Sequence, residues 1–245
     1  MTSQIILSTS GVTKRFGGVT AVNNVDFTVK RGEVVGILGP NGAGKSSLFN
    51  LLAGAIQPDS GTIKFSDKDV TTSQSYDMCA KGLARTFQLV RPLKGLSVLE
   101  NVMVGAFSKT SSVREARAVA LSAIQLVGLE GLENVISSNL TLGFRKRLEV
   151  ARSLATKPEI LLLDEVMSGL NPAELESFIE MLRSVNEDGV TLVVVEHIVP
   201  AVIQISHRIV VMVQGSTIAE GTPEEVMKNQ AVIDAYLGEL DYDVS

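Results

Sequence analysis

Four short runs along the chain are apolar without polar residues in alternate places: "VVGIL" (34–38), "ILLL" (160–163), "VTLVVV" (190–195) and "IVVMV" (209–213). Runs of this length, rich in Val, Ile and Leu, predict strands covered on both faces. Between the later runs the period changes. Over Ala173–Asn186, the residues Leu175, Phe178, Ile179 and Leu182 stand at helical spacing. Strand–helix alternation of this kind predicts an α/β fold with a mainly parallel sheet.

Two regions break that rhythm. The first 35 residues and Gly61–Phe65 predict short strands with tight turns, a small antiparallel sheet. Residues from about 90 to 157 predict mostly helix, with Val113, Ala116, Ala120, Leu121, Ile124 and Val127 on one apolar face and Gly128 as its C-terminal cap. No internal repeat, low-complexity tract or linker interrupts the chain. The expectation is one domain over residues 1–245. An antiparallel β lobe takes roughly 1–35 and 60–68, a core takes 36–59, 69–89 and 158–245, and a helical lobe takes 90–157.

Composition narrows this only slightly. A chain of 245 residues that is 45% hydrophobic and 20% charged buries a sizeable core. The net charge of −5 speaks against non-specific nucleic-acid binding, which needs a basic footprint. A single cysteine, Cys79, forms no internal disulfide, which suits a cytosolic compartment. The first residues, "MTSQIILSTSGVTKRF", do not read as a signal peptide. No run approaches the roughly 18 apolar residues of a membrane span, so any membrane role is expected to come through a partner.

The chemistry concentrates in "GPNGAGKSSLFNLLAG" (39–54). Gly39, Gly44, Lys45 and Ser46 fit G-x-x-x-x-G-K-[ST], directly after the strand-like "VVGIL" and before a helix-like run. Glycines let the backbone turn tightly and approach an anion, and amides at a helix start favour phosphate oxygens. Lys45 would reach the β- and γ-phosphates of a nucleotide, and the Ser46 hydroxyl would ligate Mg²⁺.

After "EILLL" come Asp164 and Glu165, carboxylates at the strand end where α/β sheets place ligands. Asp164 suits Mg²⁺ held through water, paired with Ser46. Glu165 suits the general base that orients and deprotonates an attacking water. His197 ends the next buried run at the same expected sheet edge, whereas His207 reads as a structural residue.

With these residues in place, the chain resembles the ATP-binding-cassette (ABC) ATPases along nearly its whole length. The resemblance implies a P-loop NTPase core with an N-terminal antiparallel β lobe and an inserted α-helical lobe. Further motifs match in order. Phe16 in "TKRFGG" stands where the family stacks an aromatic on adenine. Gln88 in "RTFQ" matches the glutamine that senses Mg²⁺ and the attacking water. "SGLNPAE" (168–174) matches the loop that crosses to the partner subunit, and His197 matches the switch histidine on the γ-phosphate. Gly39, Pro40, Asn41, Gly42, Ala43, Gly44, Lys45, Ser46 and Ser47 form the implied nucleotide loop. The implied function is ATP hydrolysis coupled to transport. It implies ATP and Mg²⁺, integral membrane permease subunits, a second ATPase subunit, a substrate-binding protein acting indirectly, and a peripheral place on the cytoplasmic face of the membrane.

"ARTFQLVRPLKGLSVLENV", "SGLNPAE", "VVEHIVPAV" and the ending "AYLGE" are most similar to branched-chain amino-acid importers. Relatives that import urea or short amides, or export lipopolysaccharide, share parts of the pattern, and soluble ABC ATPases form a further class. The family's signature, commonly LSGGQ, here reads Leu140, Thr141, Leu142, Gly143 and Phe144. Thr141 keeps the hydroxyl and Gly143 the open amide. Leu142 brings a branched side chain, and Phe144 replaces a polar residue. Drift at a tolerant position and a weak composite site in an asymmetric pair both explain this, and homodimer or heterodimer stays open. Val166, in the usual place of a proline, is expected to loosen the loop after Glu165.

Overall fold

The computed structural model describes residues 4–86 and 92–240, the last four by backbone alone. Contacts divide the chain into two units, residues 1–78 with 193–245 and residues 79–192. The first unit opens with β1 (Ile5–Phe16), β2 (Val19–Lys30), β3 (Val34–Leu38), α1 (Lys45–Leu52), β4 (Ser60–Phe65) and β5 (Lys68–Asp69). Next comes α2 (Ser75–Lys81). The second unit continues with β6 (Leu83–Arg85), α3 (Val98–Ala106), α4 (Val113–Leu126), α5 (Leu142–Leu154), β7 (Ile160–Asp164) and α6 (Pro172–Glu187). β8 (Thr191–Val195) leads back to the first unit, which ends with α7 (Val199–Ile205), β9 (Arg208–Val213), β10 (Ser216–Gly221), α8 (Pro223–Met227) and α9 (Gln230–Leu240).

In the first unit, β2, β1, β4 and β5 make an antiparallel sheet in that order. The expected short N-terminal strands are in fact two strands of 12 residues each. Their length was hidden because the register shifts between Thr9 and Val12 and between Val12 and Lys14. Gly11 and Asn24 take positive φ there, 59° and 51°. Such bulges interrupt the period-two alternation by which a half-buried strand is recognised. β3 and β9 pair in parallel, Val35 with Arg208 through Leu38 with Val211, and β10 closes antiparallel on β9. Every residue of β3 is buried, as its unalternating apolar run requires. α1 buries Leu48, Phe49, Leu51 and Leu52 to 1% exposure or less. At about 1.5–3 kcal/mol for each large apolar side chain, that face secures the helix behind the glycine loop.

In the second unit, α3 packs on α4 and α5, and α4 touches α6. The apolar face of α4 differs in part from the expected one. Ala116, Ala120, Ile124 and Val127 are buried and Ala123 joins them, but Val113 and Leu121 are 64% and 38% exposed. Val113 is the first helical residue behind the Ser112 cap, and Leu121 lies about 100° around the axis from Ala120. Gly128, at φ 67°, ends the helix as expected. Asn101, fully buried in α3, fastens the preceding loop: its amide donates to the carbonyls of Leu93, Leu96 and Ser97 and its oxygen accepts from Leu93 N. β6 and β7 pair in parallel, Leu83 with Ile160 and Arg85 with Leu162. No helix among the described residues is long and apolar enough to cross a membrane.

Candidate functional site

The phosphate-loop residues belong to the first unit. β3 ends at Leu38, and the loop turns at once through Gly39, φ 147°, where an added Cβ would overlap the Met212 carbonyl oxygen. At Gly44, φ 99°, a Cβ would overlap the Ala21 carbonyl oxygen. Close backbone approach therefore demands glycine at both motif positions. The Ala21 contact also seats the β1–β2 hairpin against the loop. α1 starts on Gly44 with no side-chain cap on its first amides. Lys45 is buried, and its Nζ donates to the Gly39 and Pro40 carbonyls at 2.5 and 2.9 Å. The lysine is thus folded over the loop it follows, while Ser46 stands exposed on the first turn. Phe16, at the tip of the hairpin, is half exposed, with Lys14 Nζ 5.7 Å from its ring centre.

The acidic pair belongs to the second unit. Asp164 ends β7, 3% exposed, and its Oδ2 accepts from Arg85 Nη2 at 2.7 Å. Thr86 adds a second tie from the neighbouring strand end: its Oγ1 accepts from Asp164 N, and its N donates to Leu162 O. Glu165 follows in the left-handed region at φ 49°, a conformation disfavoured for a residue with a Cβ. Its carbonyl accepts from the buried Lys146 Nζ of α5 at 3.4 Å. Val166 is 5% exposed and packed into the unit, so the turn after Glu165 is anchored by burial where a proline would have stiffened it.

The signature segment begins α5 in the same unit. Leu140 is buried, and Thr141 is the N-cap, its Oγ1 accepting from Phe144 N at 3.4 Å. Leu142 and Phe144 are 40% and 39% exposed. A Cβ at Gly143 would meet Glu174 Oε1 at 3.0 Å, and one at Gly169 would meet Leu142 Cδ2 at 3.3 Å. Residues 140–144 and 168–174 are therefore brought together. A cavity of about 590 Å³ lies beside them, lined by Thr141, Phe144, Arg147, Glu174, Ser177 and others. Arg147, within α5, donates to Val127 O at the end of α4 and to Ser177 of α6, tying the three helices together. Asn171 and Glu174 form a reciprocal cap at the start of α6, with Pro172 in its first turn.

His197, after β8, is exposed, and His207 accepts from Val34 N through Nδ1 at 2.9 Å, the structural role expected for it. Gln88 lies outside the described residues. Three residues in this geometry were not anticipated. Arg85 pairs with Asp164, Lys146 holds the Glu165 carbonyl, and Tyr236 Oη accepts from Gly39 N at 2.9 Å. Arg85 and Tyr236 lie in segments that mark the subgroup, but no spacing announced the partner of any of the three, because each acts across the chain on a backbone group or carboxylate.

The phosphate-loop residues fit a nucleotide. An uncapped helix start, a glycine-forced loop and a lysine suit phosphate oxygens. Among the described residues no three His, Cys, Asp or Glu side chains gather as metal ligands. Ser46, exposed on the first turn of α1, offers the kind of hydroxyl that suits a Mg²⁺ arriving on phosphates with its waters.

A family model described as ABC transporter matches residues 22–168, and one described as branched-chain amino acid ATP-binding cassette transporter matches residues 216–242. The chain is 41% identical to the high-affinity branched-chain amino acid transport ATP-binding protein LivG of Escherichia coli (strain K12), over 97% of this chain and 99% of the relative. The ADP conformation of MJ1267, an ATP-binding cassette of an ABC transporter, superposes with a TM-score of 0.88 at 29% identity, over 96% of this chain and all of that one. A dimeric bacterial ABC transporter cassette, MJ0796, gives 0.78 at 29% identity, over 89% and 99%. The glycine-forced loop, the acidic pair after a buried strand and the capped signature helix thus lie in a chain that belongs to the ABC transporter family.

Proposed function

We propose that this chain is the ATP-hydrolysing subunit of an importer that carries branched-chain amino acids through partner permease subunits. One observation carries the ATP reading: α1 starts on Gly44 with its first amides uncapped and Lys45 folded over the loop. The solute rests on the names of the relatives and on the match at residues 216–242.

Lys45 and backbone N–H groups of the loop beyond Pro40 hold the β- and γ-phosphates within the nucleotide loop of residues 39–47, and Phe16 stacks on adenine. Ser46, Asp164 and Gln88 would hold Mg²⁺, which when bound would neutralise phosphate charge. Glu165 accepts a proton from a water whose oxygen attacks the γ-phosphorus, and ADP leaves with the bridging oxygen. His197 contacts the γ-phosphate. A second ATPase subunit, identical or different, presents its own equivalent of Leu140, Thr141, Leu142, Gly143 and Phe144 to this nucleotide. The one-cassette division into β lobe, core and helical lobe belongs to the same proposal. So do the cytoplasmic face of the membrane as its location and a binding protein that delivers solute. Nucleic acid has no part in it.

The test is to recover the tagged chain with its membrane partners, reconstitute them in liposomes and measure ATP-driven uptake of labelled leucine, isoleucine and valine. Uptake abolished by Glu165→Gln is expected. Transport of urea, short amides or lipopolysaccharide in place of these solutes would replace the solute assignment. ATPase activity with no membrane partner recovered would overturn the transport reading.

A further inference from the structure

The ending "AYLGE" (235–239) marks the subgroup in sequence but has no role in the reaction described above. Its tyrosine reaches the phosphate loop. The parallel ladder of β3 with β9 ends at Leu38 and Val211, one residue before Gly39. Gly39 is buried, so its N–H needs an acceptor outside the ladder. That acceptor is Tyr236 Oη on α9, at 2.9 Å. The Tyr236 ring packs on the cluster of Leu38, Val202, Ile209, Val211, Val226 and Val232. An aromatic ring with a polar tip fills an apolar seat and still offers an oxygen at its edge, which phenylalanine does not.

On the other side of the Gly39 Cα, the carbonyl accepts from Lys45 Nζ. The two peptide groups flanking that Cα are therefore held by α9 and by the phosphate-binding lysine. Steric overlap with the Met212 carbonyl bars any side chain from this turn.

We propose that Tyr236 is a positioning residue for the phosphate loop, through which the C-terminal helix sets nucleotide affinity. The inference rests on the reading that this loop binds ATP. Tyr236 fixes the peptide that leads into the one on which Lys45 rests, and so the geometry from which Lys45 and the loop amides meet the β- and γ-phosphates.

The test uses the full chain, a fluorescent N-methylanthraniloyl ATP, and two substitutions. Tyr236→Phe keeps the ring and removes the hydroxyl. Val232→Ala loosens the same cluster without touching the loop. Tyr236→Phe is expected to raise the Kd about tenfold, ~1.4 kcal/mol. Val232→Ala is expected to lower the melting temperature of the nucleotide-free chain while its Kd stays within about twofold, ~0.4 kcal/mol. Hydrogen exchange across residues 36–44 should quicken in Tyr236→Phe alone. A wild-type Kd in Tyr236→Phe, or an equal rise in Val232→Ala, would overturn the inference, as would unchanged exchange. A wild-type chain that binds no ATP would remove the functional reading itself and the inference with it.

Discussion

α1 begins behind Gly44 in the left-handed region, at φ 99°, with no side-chain cap. α5 begins behind Thr141 in the extended region, at φ −65°, with the threonine oxygen accepting from Phe144 N. The first helical residue is a buried lysine in one case and a 40% exposed leucine in the other. Both segments carry small residues before a helix, yet they present different chemistry. An uncapped start leaves its amides and dipole for an outside anion, whereas a capped start has already satisfied one of them. What α5 offers outward is an apolar edge, Leu142 and Phe144. The cap residue, more than the glycine content of the loop, separates an anion-binding helix start from a surface for contact.

The largest effect should come from Glu165→Gln, which acts at neither helix start. Loss of a general base lowers turnover by about 10²–10⁴-fold, while fluorescent ATP still binds; binding lost together with turnover would mean that Glu165 shapes the phosphate loop. Gly44→Ala breaks the open start itself. Its Cβ meets the Ala21 carbonyl at positive φ, so urea titration should show a loss of about 3 kcal/mol or more, with nucleotide binding gone. An unchanged midpoint would show that α1 has no need of glycine there.

Arg85→Met leaves the buried Asp164 carboxylate without its cation. A loss of about 3 kcal/mol is expected, and a chain of wild-type stability would show that other partners suffice. Thr141→Ala opens the closed start and should cost about 1 kcal/mol, read as a lower melting temperature, with the ATP Kd of the isolated chain unmoved. A matching rise in Kd would erase the contrast between the two helix starts.

The smallest effect concerns acid. Neither α1 nor α5 has an acidic residue in its first turn, so acidification should not distinguish them. Glu33 is different. Burial pushes its carboxyl up, but the Arg208 guanidinium and the Lys30 N–H together hold it below its ordinary value of 4.5. A depressed carboxyl contributes stability that is present above 4.5 and lost as pH falls through the folded value. Glu33→Gln should therefore show a shallower fall in melting temperature below pH 4.5 than the wild type; parallel curves would exclude Glu33 as a source of acid sensitivity.

Much of this was legible in the residues. The runs at 34–38, 160–163, 190–195 and 209–213 are strands β3, β7, β8 and β9, because a strand covered on both faces needs no alternation. Ala173–Asn186 lies within α6, framed by an Asn–Pro start that any reader of caps recognises. The lengths of β1 and β2 were not legible, since bulges break the period. The true face of α4 was misjudged at Val113 and Leu121 because helical spacing alone does not say which of two adjacent stripes meets a neighbour.

The division has a physical origin. Local order along the chain is enough to specify a buried strand, a glycine turn, a helix cap and a carboxylate at a strand end, so the sequence alone determined the phosphate loop, the Asp164–Glu165 pair and the family. Tertiary structure alone decided that Arg85 pairs with Asp164, that Lys146 holds the carbonyl of Glu165 and that Tyr236 takes the Gly39 amide. Those partners lie 79, 19 and 197 residues apart. A buried polar group takes whichever partner the fold brings within reach, and no spacing along the chain announces which one that is.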